Sequence, residues 1–468
     1  MKQLSFQQAL WGLLLPLGAV ISLVLMGNHI VIALLSAVVV ESVYALCLRF
    51  PWQTLEDGML QGGQKMLGAA LIMILVGILI SCWISSGTIP TLLYYGMKLI
   101  HPMVFLPVTF LLCLLTALAT GTSWGAAGTM GIALVGIASG LGIPLPLVVG
   151  CILSGALIGD KMSPLSDSVL LTAASTDTNL FDLIVCMFYT TVPLSLVSLG
   201  VYGVWGIQFG GQGFDLESIQ PLLKGLEGTF SISLVMLLPL VLVIGMSIKK
   251  IPAYCTFMCG ILSGILLALV FQGASLKSVL DAAVNGFVCH SGIASLDKLL
   301  TRGGALSMAQ IVFAALMAGM FSGMLDHLGI MEVLMARLRS VIRNSTSLVV
   351  VTVGVCILLM LGGGGQYTTL TLPGAAFGRI YDELDVHRTV LGRTMEDVGT
   401  MIDPIVPWSV SGIYYSGLFG ISVGAYFPYA IMAFASPLVA VLNAIAGLGI
   451  FYARDAITYR PLWRRSRR

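Results

Sequence analysis

GDKMSPLSD, from Gly159 to Asp167, and MEDVGTMIDPIVPW, from Met395 to Trp408, place carboxylates inside apolar, glycine-rich sequence. An ionisable group at the centre of a membrane helix costs roughly 2.5–3.5 kcal/mol on insertion scales and marks an ion or proton pathway. One such stretch falls in each half of the chain. That placement points to a transporter built from two related halves, with its site where the halves meet.

The surrounding composition fixes the setting. The chain has 468 residues, 57% hydrophobic and 9% charged, with a net charge of +2. Its mean hydropathy is +0.99. A soluble domain carries about 25% charged residues, and so little charge cannot cover a water-facing surface of this size. The apolar runs are long and continuous, which excludes the alternating segments of a β-barrel. The fold class is therefore an all-α polytopic membrane protein, lying in the lipid bilayer as one transmembrane domain over residues 1–468. Nine cysteines scatter through apolar runs without a CxxC, and Cys255 and Cys259 have no His beside them, so all read as packing residues. His101, His290, His327 and His387 fall near span ends or in loops and read as solvated. No Ser-His-Asp or Cys-His constellation occurs, so no enzyme and no cofactor is expected.

Candidate spans cover about 10–26, 30–48, 66–85, 102–119, 183–207, 230–248, 251–271, 308–326, 346–361 and 424–451. Two regions, about 121–180 and 362–421, are apolar but interrupted by Gly, Pro and polar residues, and read as broken helices or re-entrant hairpins. Arg49–Lys65 and 272–306 read as loops. The tail 452–468, with Arg454, Arg460, Arg464, Arg465, Arg467 and Arg468, is a basic cytoplasmic anchor rather than a nucleic-acid arm. Lys249–Lys250 and Arg337–Arg343 also lie inside by the positive-inside rule, whereas Gln208–Gly228, with Asp215, Glu217 and Glu227, carries the opposite charge.

The halves align at an offset of 242: the sequence around Gly87 matches that around Gly329, Gly121 falls on Gly363, and Leu183 falls on Ala425. Charge placement makes 66–85 run outward and 308–326 inward. Residues 66–207 and 308–451 are thus expected to form inverted-topology repeats.

Within the first stretch, Thr122 and Ser123 of TGTSWG offer hydroxyls beside glycines that admit close approach, and hydroxyl oxygens suit a hard cation such as Na⁺. Asp160 and Asp167 are the first acids, with Pro164 expected to break the helix between them, Ser163 a further oxygen donor and Lys161 a neutralising cation. In the second stretch Glu396, Asp397 and Asp403 are the acids and Thr400 a donor; Arg393 is spaced to pair with Glu396, and Asp403 precedes Pro404, where the chain is expected to unwind. An aqueous loop running on from Tyr381 is the alternative for Arg393, Glu396 and Asp397. GGGGQYTT, from Gly362 to Thr369, lacks the Gly-Lys-Ser/Thr of a phosphate loop; its Gln366, Tyr367 and Thr368 are placed to line a cavity.

GTSWGAAGTMGIALVGIASGLGIPLPLVVG followed by LIGDKMSPLSDSVLLTAA resembles the signature of the NhaC-type Na⁺/H⁺ antiporters, and WISSGTIPTLLYYG, LLTRGG and RTMEDVGTMIDPIVPW resemble further parts of it. The resemblance covers nearly the whole chain. It implies secondary antiport of Na⁺ against H⁺ in the bacterial inner membrane, and inverted repeats. Some relatives exchange malate with protons for lactate with Na⁺, so small carboxylates are the alternative cargo.

Overall fold

The computed structural model describes residues 4–452 except 27, 100, 211–215, 250, 340–341 and 364. The arginine tail beyond Tyr452, Lys250 and Asp215 lie outside the described residues. The chain is helical throughout; among the described residues the only β-type pairings are two isolated bridges, Phe287 with Arg302 and Val386 with Tyr452.

Among the described residues, eight helices are long and apolar enough to cross a membrane: Phe6–Val24, Ile30–Cys47, Trp52–Ser85, Pro102–Thr120, Leu145–Met162, Leu180–Phe209, Tyr254–Phe271 and Ala305–His327. Two bent pairs, Gln220–Thr229 with Leu234–Met246 at 87° and Val423–Tyr429 with Ile431–Ala446 at 58°, complete the set. The expected span at 424–451 is therefore bent rather than straight, and the one at 230–248 is one arm of a bent pair. Leu145–Met162, inside the region read as broken, is a complete 18-residue helix whose charged residues sit only in its last turn.

Arg49–Lys65 is not a loop. Its polar sequence hides an amphipathic helix, Trp52–Lys65, that continues into Leu67–Ser85. The joined 34 residues reach about 51 Å, well beyond the ~30 Å of a hydrocarbon core. The polar first part is buried by glycines: a Cβ on Gly58 would stand 2.9 Å from the Gly323 carbonyl oxygen, and one on Gly62 would run into that of Gly319. The region 272–306 likewise holds two short helices, Leu276–Asn285 and Ala294–Leu300.

These contacts set direction. Gly58 meets Gly323, Gly62 meets Gly319, and the Gly304 N–H donates to the Gly77 carbonyl at 2.7 Å. Lys65 pairs with Asp326 at 3.5 Å. Residue numbers rise on one helix as they fall on the other, so Leu67–Ser85 and Ala309–His327 run antiparallel.

The left-handed turns recur between the halves. Gly87 and Gly329 are separated by 242 residues, as are Gly121 and Gly363, and all four have positive φ. Among the described residues, the three non-glycine residues with positive φ, Arg49, Asp177 and Asp385, each stand 243 residues from a left-handed glycine: Gly292, Gly420 and Gly142. A left-handed turn at a non-glycine residue is strained, and each of these is matched by a glycine in the other half.

Candidate cation site

Two helix breaks bring the acids together. Pro102–Thr120 ends on Gly121 at φ 71°, and Thr122 then caps a new short helix, its hydroxyl accepting from the Gly125 N–H at 3.4 Å. That helix passes through a π-turn at Ala127–Gly131, a distortion frequent at functional sites. In the other half Ser345–Leu361 ends at Gly362–Gly363, and Gly365–Thr369 follows.

Asp160 lies in the last turn of Leu145–Met162 and is 5% exposed. Its Oδ2 accepts from the Ser123 N–H at 2.9 Å and from the Ser123 hydroxyl at 2.7 Å; its Oδ1 accepts from the Ser166 hydroxyl at 2.5 Å. The carboxylate thus sits at the N-terminus of the helix that opens at the first break, where backbone N–H groups favour negative charge. The helix stops at Met162 because Ser163, before Pro164, is extended.

Glu396 is fully buried on Arg388–Ile402. Thr172, from Asp167–Ser175, donates to its Oε1 at 2.7 Å, and Thr400 donates to its Oε2 at 2.5 Å. Gln366, just past the second break, donates to the Thr400 hydroxyl at 3.0 Å. Arg393, Glu396 and Asp397 are therefore core residues of a helix, and the aqueous-loop alternative is excluded.

Two expected pairings are corrected. Lys161 donates to Asp397 Oδ1, across the halves, and not to Asp160. It lies beside Asp160 in sequence, but successive helical residues point about 100° apart. Arg393 Nε stands 3.9 Å from Asp397 Oδ2, one helical turn on, rather than pairing with Glu396. Its Nη1 donates to the Gly449 carbonyl at 2.6 Å. Ser436 also donates to Asp397 Oδ1, at 3.0 Å. Lys161, Arg393 and Asp397 are all fully buried, so this is a sealed ionic joint between the halves.

Asp403 is buried, with Ser411 donating to its Oδ2 and Ser409 to its main-chain oxygen. The α-helix ends at Ile402, ahead of Pro404, and unwinds in steps. Asp403 keeps helical angles, Pro404 opens a 3-10 turn where its missing N–H is not needed, and the chain becomes extended at Val406, before Pro407. Trp124 donates from Nε1 to the Ser411 hydroxyl at 3.1 Å and stacks on Tyr414 with centroids 4.5 Å apart.

Three predicted residues stand apart from this core. Asp167 is exposed and accepts from the Tyr367 hydroxyl at 2.6 Å. The Ser163 hydroxyl is committed to the Leu118 carbonyl at 2.8 Å, and Thr122 serves as a cap. Conversely, Ser166, Thr172, Ser409 and Ser411 contact the acids without having been singled out. Their signal was present, as hydroxyls within a few residues of the broken-helix acids. His101 and His387 prove to be helix caps, accepting from the N–H groups of Met103 and Thr389. Outside the spans, Arg388 grips Asp382 at 2.5 Å and holds its carboxyl below the ordinary value.

The chain matches the Na⁺/H⁺ antiporter family over residues 8–179 and 155–448. It is 35% identical to the malate-2H⁺/Na⁺-lactate antiporter of Bacillus subtilis, over 95% of this chain and 96% of that protein. It is 34% identical to the arginine/ornithine antiporter ArcD of Halobacterium salinarum, over 95% and 93%. It is 32% identical to the Na⁺/H⁺ antiporter NhaC of Alkalihalophilus pseudofirmus, over 93% and 96%.

Proposed function

The chain belongs to the Na⁺/H⁺ antiporter family, and on that premise we propose that it is a secondary antiporter that exports Na⁺ in exchange for H⁺. The observation that carries the reading is Asp160: a buried carboxylate at a helix break, surrounded by Ser123 and Ser166. Such a group holds either a proton or a cation. When Na⁺ arrives the carboxylate supplies charge, the serine hydroxyls turn their lone pairs to the ion, and the proton leaves. Glu396, with Thr172 and Thr400, lines the same junction from the other half. The sealed Lys161–Asp397–Arg393 joint holds the halves together around it.

Two inverted repeats, about 66–207 and 308–451, rocking about this junction would give alternating access. The antiparallel course of Leu67–Ser85 and Ala309–His327 and the matched left-handed turns support that arrangement. The positive charge of Arg337–Arg343 and of the arginine tail supports a cytoplasmic C-terminus in a bacterial inner membrane.

Carboxylate exchange is the second reading. It is favoured by Arg393, whose buried Nε and Nη2 lack hydrogen-bond partners, and by the malate/lactate relative. Purified protein in liposomes separates the two. Proton movement driven by Na⁺ alone is the expected result; a requirement for malate or lactate would transfer the conclusion to organic-acid antiport.

A further inference from the structure

We propose that Asp403 is a second cation and proton site, the counterpart of Asp160 in the other half, so that each transport cycle titrates both carboxylates. The inference rests on the antiport reading above.

The sequence repeats first. Asp160, Pro164, Ser166 and Ser168 have the spacing D-x-x-x-P-x-S-x-S, and Asp403, Pro407, Ser409 and Ser411 reproduce it 243 residues later. The backbone repeats with it. Ser163 N–H donates to the Asp160 carbonyl at 3.0 Å, and Val406 N–H to that of Asp403 at 3.3 Å. Ser166 N–H donates to the Ser163 carbonyl at 3.2 Å, and Ser409 N–H to that of Val406 at 3.1 Å. Ser166 and Ser409 each then stand at the N-cap of the next helix. In both copies the acid ends one helix, an extended residue before proline turns the chain, and the serines lead into the next helix, with one serine hydroxyl in each copy donating to the carboxylate. Ser166 and Ser168 share a hydroxyl contact beside Asp160; Ser409 and Ser411 bond Asp403 directly. The aromatics after the two breaks, Trp124 and Tyr367, are also 243 residues apart, and each crosses to the opposite half: Trp124 to Ser411, Tyr367 to Asp167.

One difference between the copies points to a ligand. Both Asp160 oxygens are filled by protein donors, but Asp403 Oδ1 is buried without one, in a residue 3% exposed. A buried carboxylate oxygen without a donor needs a proton or a cation. The protein supplies no cation: among the described residues Asp403 has no ion pair, and the position after it is Pro404 where Asp160 has Lys161. The titratable groups that face it are tyrosines, namely Tyr415 of Val410–Phe419, Tyr426, whose hydroxyl donates to the Pro404 carbonyl at 2.5 Å, and Tyr367. Asp397, Glu396 and Arg393 occupy the helix that leads into it, with Arg393 and Asp397 already engaged in the sealed joint. The step is a simple exchange: the carboxylic acid gives its proton to water as Na⁺ takes its place on the carboxylate.

The test counts protons. Purified full-length protein in weakly buffered detergent receives NaCl, with choline chloride as control, and a pH indicator reads protons released per protein. The expected result is that Asp403→Asn releases one proton fewer than the parent, Asp403→Glu restores it, and Asp160→Asn/Asp403→Asn releases two fewer. Release through Asp160 in the Asp403→Asn variant shows that it is folded. Ser411→Ala keeps the acid and removes a donor to charge, so one phase of release is expected to need about tenfold more Na⁺ while the other is unmoved. Equal release by the parent and Asp403→Asn, or identical titrations of the parent and Ser411→Ala, overturns the second site alone. A parent that releases no proton to Na⁺ overturns the antiport reading and this proposal with it.

Discussion

Asp160 holds three protein hydrogen bonds in a buried setting, and each is a bond to the charged or the proton-sharing form that a cation can replace. Asp160→Asn keeps the shape and removes the charge, so it is expected to abolish Na⁺-driven dequenching of a pH-sensitive dye in everted vesicles at normal protein levels. Asp160→Glu retains part of the activity. Because protons and Na⁺ compete for one carboxylate, the Na⁺ concentration for half-maximal exchange rises as pH falls; a half-maximal concentration flat with pH would remove Asp160 from the coupling role. The buried joint makes a separate prediction. Removing one member of a buried ion pair strands the other and costs about 3–5 kcal/mol, whereas replacing both with apolar residues recovers much of that. Asp397 faces both Lys161 and Arg393, so Asp397→Leu strands two cations and should lower the unfolding temperature in detergent more than Lys161→Met, which leaves Asp397 beside Arg393. The acids themselves were legible in the sequence, since charge inside apolar sequence is conspicuous. Their partners were not: Lys161 finds Asp397 over 236 residues of separation, a choice made by helix rotation and packing rather than by neighbouring residues.

Two elements show why element type is easier to read than element ends. The polar 52–65 stretch reads as a loop by composition, yet it is a helix because its glycine face is buried against another helix. Close glycine packing of this kind compensates for the weak hydrophobic drive between helices in lipid. Overpacking a tight interface costs about 1–3 kcal/mol or more, so Gly62→Leu, whose side chain would meet the Gly319 carbonyl, should reduce both thermal stability and membrane yield. Gly228→Leu, with open space around its Cβ position, is the control and should do neither. The break in the second half is stepwise: the α-helix ends at Ile402, a 3-10 turn carries Pro404 early, where it sacrifices no hydrogen bond, and the chain becomes extended at Val406, before Pro407.

At the scale of the whole molecule, the offset of 242 that pairs Gly87 with Gly329, Gly121 with Gly363 and Leu183 with Ala425 has a near counterpart of 243 at each non-glycine left-handed turn among the described residues. The aligned residues suggest the repeat, and the recurring turns support it. An inverted repeat makes a demand that a direct repeat does not: equivalent residues must lie on opposite sides of the membrane. His101 and Asn344 are a suitable pair. Each is exposed and caps a matching helix, Pro102–Thr120 and Ser345–Leu361 respectively. With the exposed native Cys47 and Cys255 changed to Ser, a single Cys at position 101 or 344 can be labelled with a membrane-impermeant maleimide. Arg337 and Arg343 lie just before Asn344, so Asn344→Cys should react in everted vesicles and His101→Cys in right-side-out cells. Labelling of both from the same side would leave the matched turns intact as a backbone fact but would remove the two-fold axis in the membrane plane, and with it the rocking of one half against the other as the means of alternating access.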